Sequence, residues 1–245
     1  MTPNATHLII IPAFNPGRLL AETVKGALAS WGDVWVVVDG STDGSHEGLA
    51  QGGPPGLRVI LRPRNGGKGS AVLAGARAAL AAGFTHALVM DADGQHPAVR
   101  IRDFMEASRR APLAVVCGRP VFGPEAPRAR LYGRLLSVGL VRLETAGRGA
   151  DDPLFGFRVY PLCAIVRVLG GTRGGRRYDF DPEAAVRLAW AGVPAVNLGA
   201  ACVYVRPEQG GVSHFDYVRD NLRMVAMHAR LIAALLFGRR GAPLP

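Results

Sequence analysis

Apolar residues in this chain fall first into short continuous runs and later into longer periodic ones. HLIII (7–11), VWVVV (34–38), LRVIL (57–61), HALVM (86–90) and LAVVC (113–117) are almost wholly apolar and rich in β-branched residues, as strands covered on both faces are. Between them, helical spacing covers 18–30, 45–51, 70–82 and 98–110, the last with Pro97 placed to start it. This alternation predicts a parallel sheet wound with helices on both faces. In such sheets ligands bind beyond the carboxyl ends of the strands.

The second half has a different texture. GRPVFGPEAPRARLYGR (118–134) reads as a mobile basic loop entering a helix at 129–146. Residues 151–160 read as a turn and a strand, 182–191 as a helix and 194–205 as one or two strands, while GGTRGGRR (170–177) predicts a disordered loop. Residues 216–237 form an amphipathic helix. At ~100° per residue, Arg219, Arg223 and Arg230 fall within about 40° of arc, opposite Leu222, Val225, Ile232 and Leu236. Two readings of it stand: a helix lying on an anionic membrane surface, or a terminal helix packed on the domain, with Met224, Met227 and Leu231 broadening its apolar side.

Composition narrows the class. With 245 residues, 49% hydrophobic and 20% charged, the chain is a soluble globular protein and not disordered, collagenous or a coiled coil. We treat it as one domain with a nucleotide half (1–118), an acceptor half (119–215) and the terminal helix (216–237). The balance of 29 Lys+Arg against 19 Asp+Glu gives +10 and points to an anionic partner. All these cations except Lys25 and Lys68 are arginine, which suits bidentate phosphate contacts but equally fits a GC-rich coding sequence. With 7% aromatic residues and no recognised module, nucleic acid is ranked last as that partner. Cys117, Cys163 and Cys202 stand alone in apolar stretches and read as buried thiols in a reducing compartment. No charged segment precedes the first apolar run and no apolar run reaches ~18 residues. The expectation is a cytoplasmic protein that meets a membrane from one side at most.

Polar, glycine-bearing loops follow the first four strands: PAFNPG (12–17), DGSTDGS (39–45), RPRNGGKGS (62–70) and DADGQHP (91–97). Turn chemistry explains any one of them. It does not require two aspartates around one small residue, as in Asp91-Ala92-Asp93. Such a pair can hold a hard divalent cation shared with substrate phosphates, and that cation neutralises a diphosphate leaving group. The competing role, capping the helix that follows, needs only one Asp. Around Lys68, NGGKGS fails the phosphate-loop pattern, because Gly69 follows the lysine and Arg62 stands where the opening Gly belongs. The dinucleotide fingerprint fails as well, and His46-Glu47 has no second His at Ala50. No Gly-X-Ser-X-Gly elbow occurs.

Together IIIPAFN, VVVDGSTDGS, NGGKGSAVLAGARAA, LVMDADGQHP and DPLFGFRVY resemble the family 2 glycosyltransferases, and within them the polyprenyl-phosphate, dolichyl-phosphate mannose synthase-like branch, over residues 8–215. The resemblance implies a GT-A fold: an α/β, doubly wound, mostly parallel sheet with an acceptor-binding C-terminal half. It implies inverting transfer of a sugar from a nucleoside-diphosphate sugar to a lipid-linked acceptor, with Mn2+ or Mg2+. By position, Pro12, Ala13 and Asn15 would line the nucleotide pocket, Asp39 would contact the base and Lys68 would belong to the donor site. Asp91, Asp93 and Gln95 match the metal-binding DxDxQ, with Asp93 also a catalytic candidate. Asp152 of DPLFGFR matches the family's aspartate there, Arg119 the arginine after the fifth strand, Arg134 and Ser137 residues near the acceptor phosphate, and Arg206 the arginine that clamps the diphosphate. Pro16 replaces the usual acidic residue, Val38-Asp39 the usual aspartate pair, and Phe155 a common Ser.

An acceptor phosphate is already a nucleophile and needs only positioning. A hydroxyl acceptor needs a general base, for which Asp152 is the candidate, its other reading being orientation of its own loop. Two rival classes are a nucleotidyltransferase, which would carry a Gly-rich basic loop after the first strand where PAFNPG stands, and a non-catalytic module binding nucleotide or anionic lipid.

Overall fold

β1 (His7–Ala13), β2 (Val34–Asp39) and β4 (His86–Val89) send alternate side chains into two apolar layers. Leu8, Ile10, Trp35, Val37, Ala87 and Val89 face one layer, and Ile9, Ile11, Val34, Val36, Val38 and Leu88 the other. This period of two, apolar on both sides, is why the sequence shows continuous apolar runs. α1 (Leu19–Ser30) and α4 (Ile101–Arg110) cover one face through Leu20, Val24, Ile101 and Phe104. α3 (Lys68–Ala81), α6 (Leu162–Gly170) and α7 (Phe180–Trp190) cover the other through Val72, Ala76, Ile165, Leu169 and Leu188. Each fully buried Leu or Ile contributes roughly 1.5–3 kcal/mol.

The computed structural model describes residues 6–50, 53–123, 128–202 and 215–238. The remaining elements are α2 (Glu47–Ala50), β3 (Leu57–Arg62), β5 (Val115–Phe122), α5 (Arg128–Thr145), β6 (Arg158–Pro161), β7 (Ala195–Cys202) and α8 (Tyr217–Leu236). The seven strands form one sheet in the order β3-β2-β1-β4-β6-β5-β7. β1 to β4 pair in parallel, as do β5 and β7. β6 alone runs antiparallel, with Leu88 opposite Val159 and Cys117 opposite Arg158. The chain enters β6 from the carboxyl-end edge of β4 and β5, so the 151–157 turn lies on the same edge as the 91–97 loop.

Several sequence expectations change. Residues 118–122, read as the start of a mobile basic loop, continue β5 instead. Residues 124–127, together with the end of the 194–205 reading, lie outside the described residues. α6 was not foreseen. The 170–177 loop is ordered: Ser70 N–H donates to Arg176 O at 3.0 Å, and Gly175 and Arg177 N–H donate to Asp179. Cys117 and Cys202 are buried as expected, but Cys163 is exposed. Ahead of α4, a 3-10 turn spans Ala98–Arg100.

α5 and α8 form a third layer, in which Val141 packs with Val186, Met227 and Leu231. His228 Nδ1 and Glu144 Oε1 meet there at 2.8 Å. α8 therefore packs on the domain through its Met227 and Leu231 side, while Val218, Leu222, Val225 and Leu236 remain exposed. Asp216 caps it by accepting from the N–H groups of Val218 and Arg219, a satisfaction of two orphan donors.

Arg158 is fully buried. Its guanidinium donates to the carbonyls of Phe155 (3.0 Å), Asp152 (3.2 Å), Pro153 (2.7 Å) and Asp181 (2.7 Å), and lies 3.4 Å from Tyr160 Oη. It thereby ties the 152–155 turn to the first turn of α7. Replacing it leaves buried carbonyls unpaired, so Arg158→Met is expected to lower the unfolding free energy by roughly 3–5 kcal/mol in urea titration.

At the opposite edge of the sheet His7 stacks on His86 with ring centroids 4.5 Å apart, and its Nε2 lies 3.2 Å from Ser108 Oγ. Burial, then the neighbouring His86 and Arg109, push its pKa down from 6.5 to about 4. Between those values the unfolded chain binds the extra proton and the folded one does not, so stability falls as pH falls through this window. Denaturant titration at pH 7 and pH 4 is expected to show wild type losing on the order of 2 kcal/mol more than His7→Gln.

Candidate active site

The carboxyl ends of β1, β2 and β4 open onto a cleft of about 630 Å³. Of the predicted residues, Pro12, Ala13, Asp39, Lys68, Asp91, Asp93, Gln95 and Ser137 line it. Asn15 stands at its rim: its N–H donates to Ser41 Oγ at 3.0 Å and its Oδ1 accepts from Thr42 N–H at 2.7 Å, joining the first two loops. Asp152 and Arg134 lie behind the lining and pair with each other. Arg119 is not part of it; its side chain is 65% exposed and 4.0 Å from Asp151. Arg206 lies outside the described residues.

Asp39 organises the second wall. Its buried carboxylate accepts from the N–H groups of Gly66 and Gly67, the latter at 2.7 Å, and pairs with Arg62. This fixes the loop that starts α3. Gly40 holds φ +71° and a side chain there would strike the backbone of Asn65, so the turn after Asp39 needs glycine.

The floor is an alternating chain of charges. Lys68 Nζ lies 2.6 Å from Asp91 Oδ1 and 2.8 Å from Asp181 Oδ2. Burial works against the ammonium, yet Asp181 and Asp91 hold its pKa above the usual range. Against the cost of burial, Lys68 holds the Asp91 carboxyl below its ordinary value. Asp93 behaves oppositely: burial and the Asp91 charge push it up. His96 accepts the Asp91 N–H at Nδ1 (2.9 Å), and burial lowers its pKa, so it stands neutral against the ring of Phe155. Gly156 makes the approach possible, because a Cβ there would come within 2.5 Å of Lys68 Nζ and 3.3 Å of both Asp181 oxygens.

Asp152 accepts from Leu154 N–H (2.9 Å) and Phe155 N–H (3.0 Å) at Oδ1, and from Arg134 Nη2 at 2.8 Å, with Arg134 Nε on Oδ2. The Arg134 guanidinium lies 5.2 Å over the Phe122 ring. A bidentate fork of this kind fixes both partners.

Asp181, Arg177, Tyr178 and the α8 residues Arg219, Asp220 and Arg223 also line the cleft and were not foreseen. Asp181 had one sequence signal: with Glu183 it is an acid inside the mostly apolar run of α7, and both are buried. Buried acids at such positions are paired or functional.

A crevice at the carboxyl ends of a mostly parallel sheet, floored by an Asp-X-Asp pair and a buried lysine, is the candidate active site of an α/β enzyme. The comparisons specify it: the profile of the family described as "Glycosyl transferase family 2" matches residues 8–167, and the chain belongs to that family and is a glycosyltransferase. It is 34% identical over 198 residues to the undecaprenyl-phosphate mannosyltransferase of Micrococcus luteus, covering 78% of this chain and 81% of the relative. It is 32% identical over 219 residues to the polyprenol monophosphomannose synthase of Mycolicibacterium smegmatis, covering 83% and 77%. These place it in the polyprenyl-phosphate sugar transferase branch. The glucosyl-3-phosphoglycerate synthase of Mycobacterium tuberculosis, solved with Mn2+, UDP-glucose and phosphoglyceric acid, superposes with a TM-score of 0.61 at 20% identity, over 98% of this chain and 82% of that one. The fold is GT-A.

Removing Lys68 leaves two acids facing each other without compensation. Lys68→Met is expected to cost roughly 3 kcal/mol in urea titration, and Asp181→Asn in the same chain to restore part of it, with a coupling of about 1–3 kcal/mol in the double-mutant cycle.

Proposed function

We propose that this enzyme transfers a sugar from a nucleoside-diphosphate sugar to the phosphate of a lipid-linked, polyprenyl-type acceptor, with inversion, using Mn2+ or Mg2+ held by Asp91, Asp93 and Gln95. The observation that carries this reading is the Asp91–Asp93 pair at the end of β4, where burial and Asp91 push Asp93 toward its neutral form. Lys68 compensates Asp91, but Asp93 has no ion-pair partner among the described residues, and a divalent cation would supply that charge. Among the described residues no group of three or more His, Cys, Asp or Glu side chains could hold a metal ion. The two carboxylates and the Gln95 amide, all oxygen donors lining the cleft, suit a hard ion that would complete its shell with substrate oxygens. When bound, it offsets charge on the departing diphosphate.

In this reading Pro12, Ala13, Asn15 and the loop clamped by Asp39 frame the nucleotide, Lys68 sets the orientation of Asp91, and Arg206 meets the diphosphate. Ser137 on the cleft wall and Arg134, one turn before it on α5, receive the acceptor phosphate. A phosphate oxygen attacks the anomeric carbon opposite the diphosphate; the new C–O bond forms as the old one breaks, and its electron pair leaves with the nucleoside diphosphate. No proton moves, so no general base is required. Asp152, hydrogen-bonded on both oxygens, then acts as a positioning residue for Arg134. The relatives named for undecaprenyl phosphate and polyprenol support the acceptor class, and the Mn2+ and UDP-glucose of the solved neighbour support the donor class.

The lipid tail has a surface to follow. α5 exposes Leu135, Leu136 and Leu143, and the neighbouring α8 exposes Val218, Leu222, Val225 and Leu236. No helix among the described residues is long and apolar enough to cross a membrane. Peripheral attachment to an anionic surface at the cytoplasmic face fits these rows and the +10 charge.

The test is thermal stabilisation by a panel of nucleoside diphosphates with and without Mn2+ or Mg2+. One nucleotide is expected to raise the midpoint by several degrees only with metal, by mass action on the native state, and Asp93→Asn to abolish the shift. Absence of stabilisation by every nucleotide would overturn the proposal.

A further inference from the structure

Beyond Arg177 and Arg223, which line the transfer cleft, the chain encloses a second concavity. The 172–179 segment and α8 form a basin of about 430 Å³. Among the described residues five arginines line it, Arg173, Arg176, Arg177, Arg223 and Arg230, with Asp179 the one acid in the lining. That acid is already occupied, accepting the N–H groups of Gly175 and Arg177 at 2.9 Å each.

The arginines are only partly satisfied. Arg230 reaches Glu183 at 2.6 Å, Arg223 reaches Asp220 at 2.7 Å and Arg177 reaches Asn65 at 3.1 Å. Arg176 donates to the carbonyls of Leu169 and Thr172. Arg173 has no hydrogen-bond or ion-pair partner among the described residues. A guanidinium carries five N–H donors, so each of these side chains retains donors beyond its internal contacts.

The basin is also built in advance. Arg176 fastens its own loop through two carbonyls, and its backbone oxygen accepts from Ser70 of α3. A side chain at Gly174 would strike the Arg230–Glu183 pair, and Gly175 holds φ +65°. Like charges gathered on an ordered loop repel one another, and an anion removes that cost without reorganising the site. Planar, forked donors in this number match the oxygens of a phosphate group better than a point charge would.

We propose that this basin is a phosphate-binding site separate from the transfer cleft, taking a phosphate monoester group presented by a lipid headgroup or by a soluble ligand. It adjoins the cleft through Arg177 and Arg223, so its occupant sits beside the reacting centre without entering it.

Ala226 lies on the basin wall, exposed in the middle of α8, so substitutions there leave the core untouched. Ala226→Glu places a carboxylate among Arg223 and Arg230, while Ala226→Gln adds the same bulk without charge. Calorimetric titration with inorganic phosphate at physiological salt, with the nucleoside diphosphate and metal saturating the cleft, is expected to show about tenfold or weaker binding in Ala226→Glu and values within about twofold of wild type in Ala226→Gln. Sedimentation with phosphatidylcholine vesicles carrying phosphatidic acid separates the sources. Phosphate binding without vesicle binding assigns a soluble ligand, and vesicle binding lost only in Ala226→Glu assigns a headgroup. No binding of either probe by wild type, or equal binding by Ala226→Glu and Ala226→Gln, overturns the proposal.

Discussion

A buried guanidinium with no carboxylate of its own governs the geometry of the reacting edge. Arg158 sits in β6, the one strand that runs against its neighbours, and its donors spread over the carbonyls of residues 152, 153, 155 and 181. Taking a charged group out of water is costly, and here several backbone acceptors offset that cost at once. Because those acceptors belong to two different segments, satisfying the arginine also fixes where Asp152 and Asp181 stand. The turn that carries Asp152 is thus determined by a buried residue that does not itself line the cleft.

From that anchor the charges propagate. Asp181, located by its own carbonyl, meets Lys68; Lys68, located by the loop that Asp39 clamps, meets Asp91. Alternating sign lets four buried or half-buried ionic groups coexist, and the exception is Asp93, which has Asp91 beside it. The imbalance is local and lies at the carboxyl end of β4, where the proposed reaction places its diphosphate and divalent cation.

The first half of the fold was legible because each parallel strand is covered on both faces, which writes it as an unbroken apolar run, as in VWVVV. The strand within 151–160 was legible too, but its antiparallel direction and its anchor were not: RVYP begins with the fully buried Arg158, and no local pattern marks an arginine whose partners are carbonyls elsewhere. The 170–177 loop reads as disorder from its glycines and arginines, but its order comes from α3 and Asp179, which composition does not reveal. Asp91, Asp93, Lys68 and Asp39 were legible because loops after parallel strands converge on one edge. Asp181 was not, since its significance lies in a lysine 113 residues away.

α8 carries three functions around one axis. Its Met227 and Leu231 side is buried, its Arg223 and Arg230 side lines the basin, and its Val218, Leu222, Val225 and Leu236 side faces outward. At ~100° per residue these faces are centred about 70°, 125° and 165° apart, so adding or removing a single residue would turn every downstream face out of its place. The helix therefore has something like a reading frame. Length changes between descendants of this chain are tolerable in α8 mainly as units of three or four residues, whereas point substitutions within one face leave the other two intact.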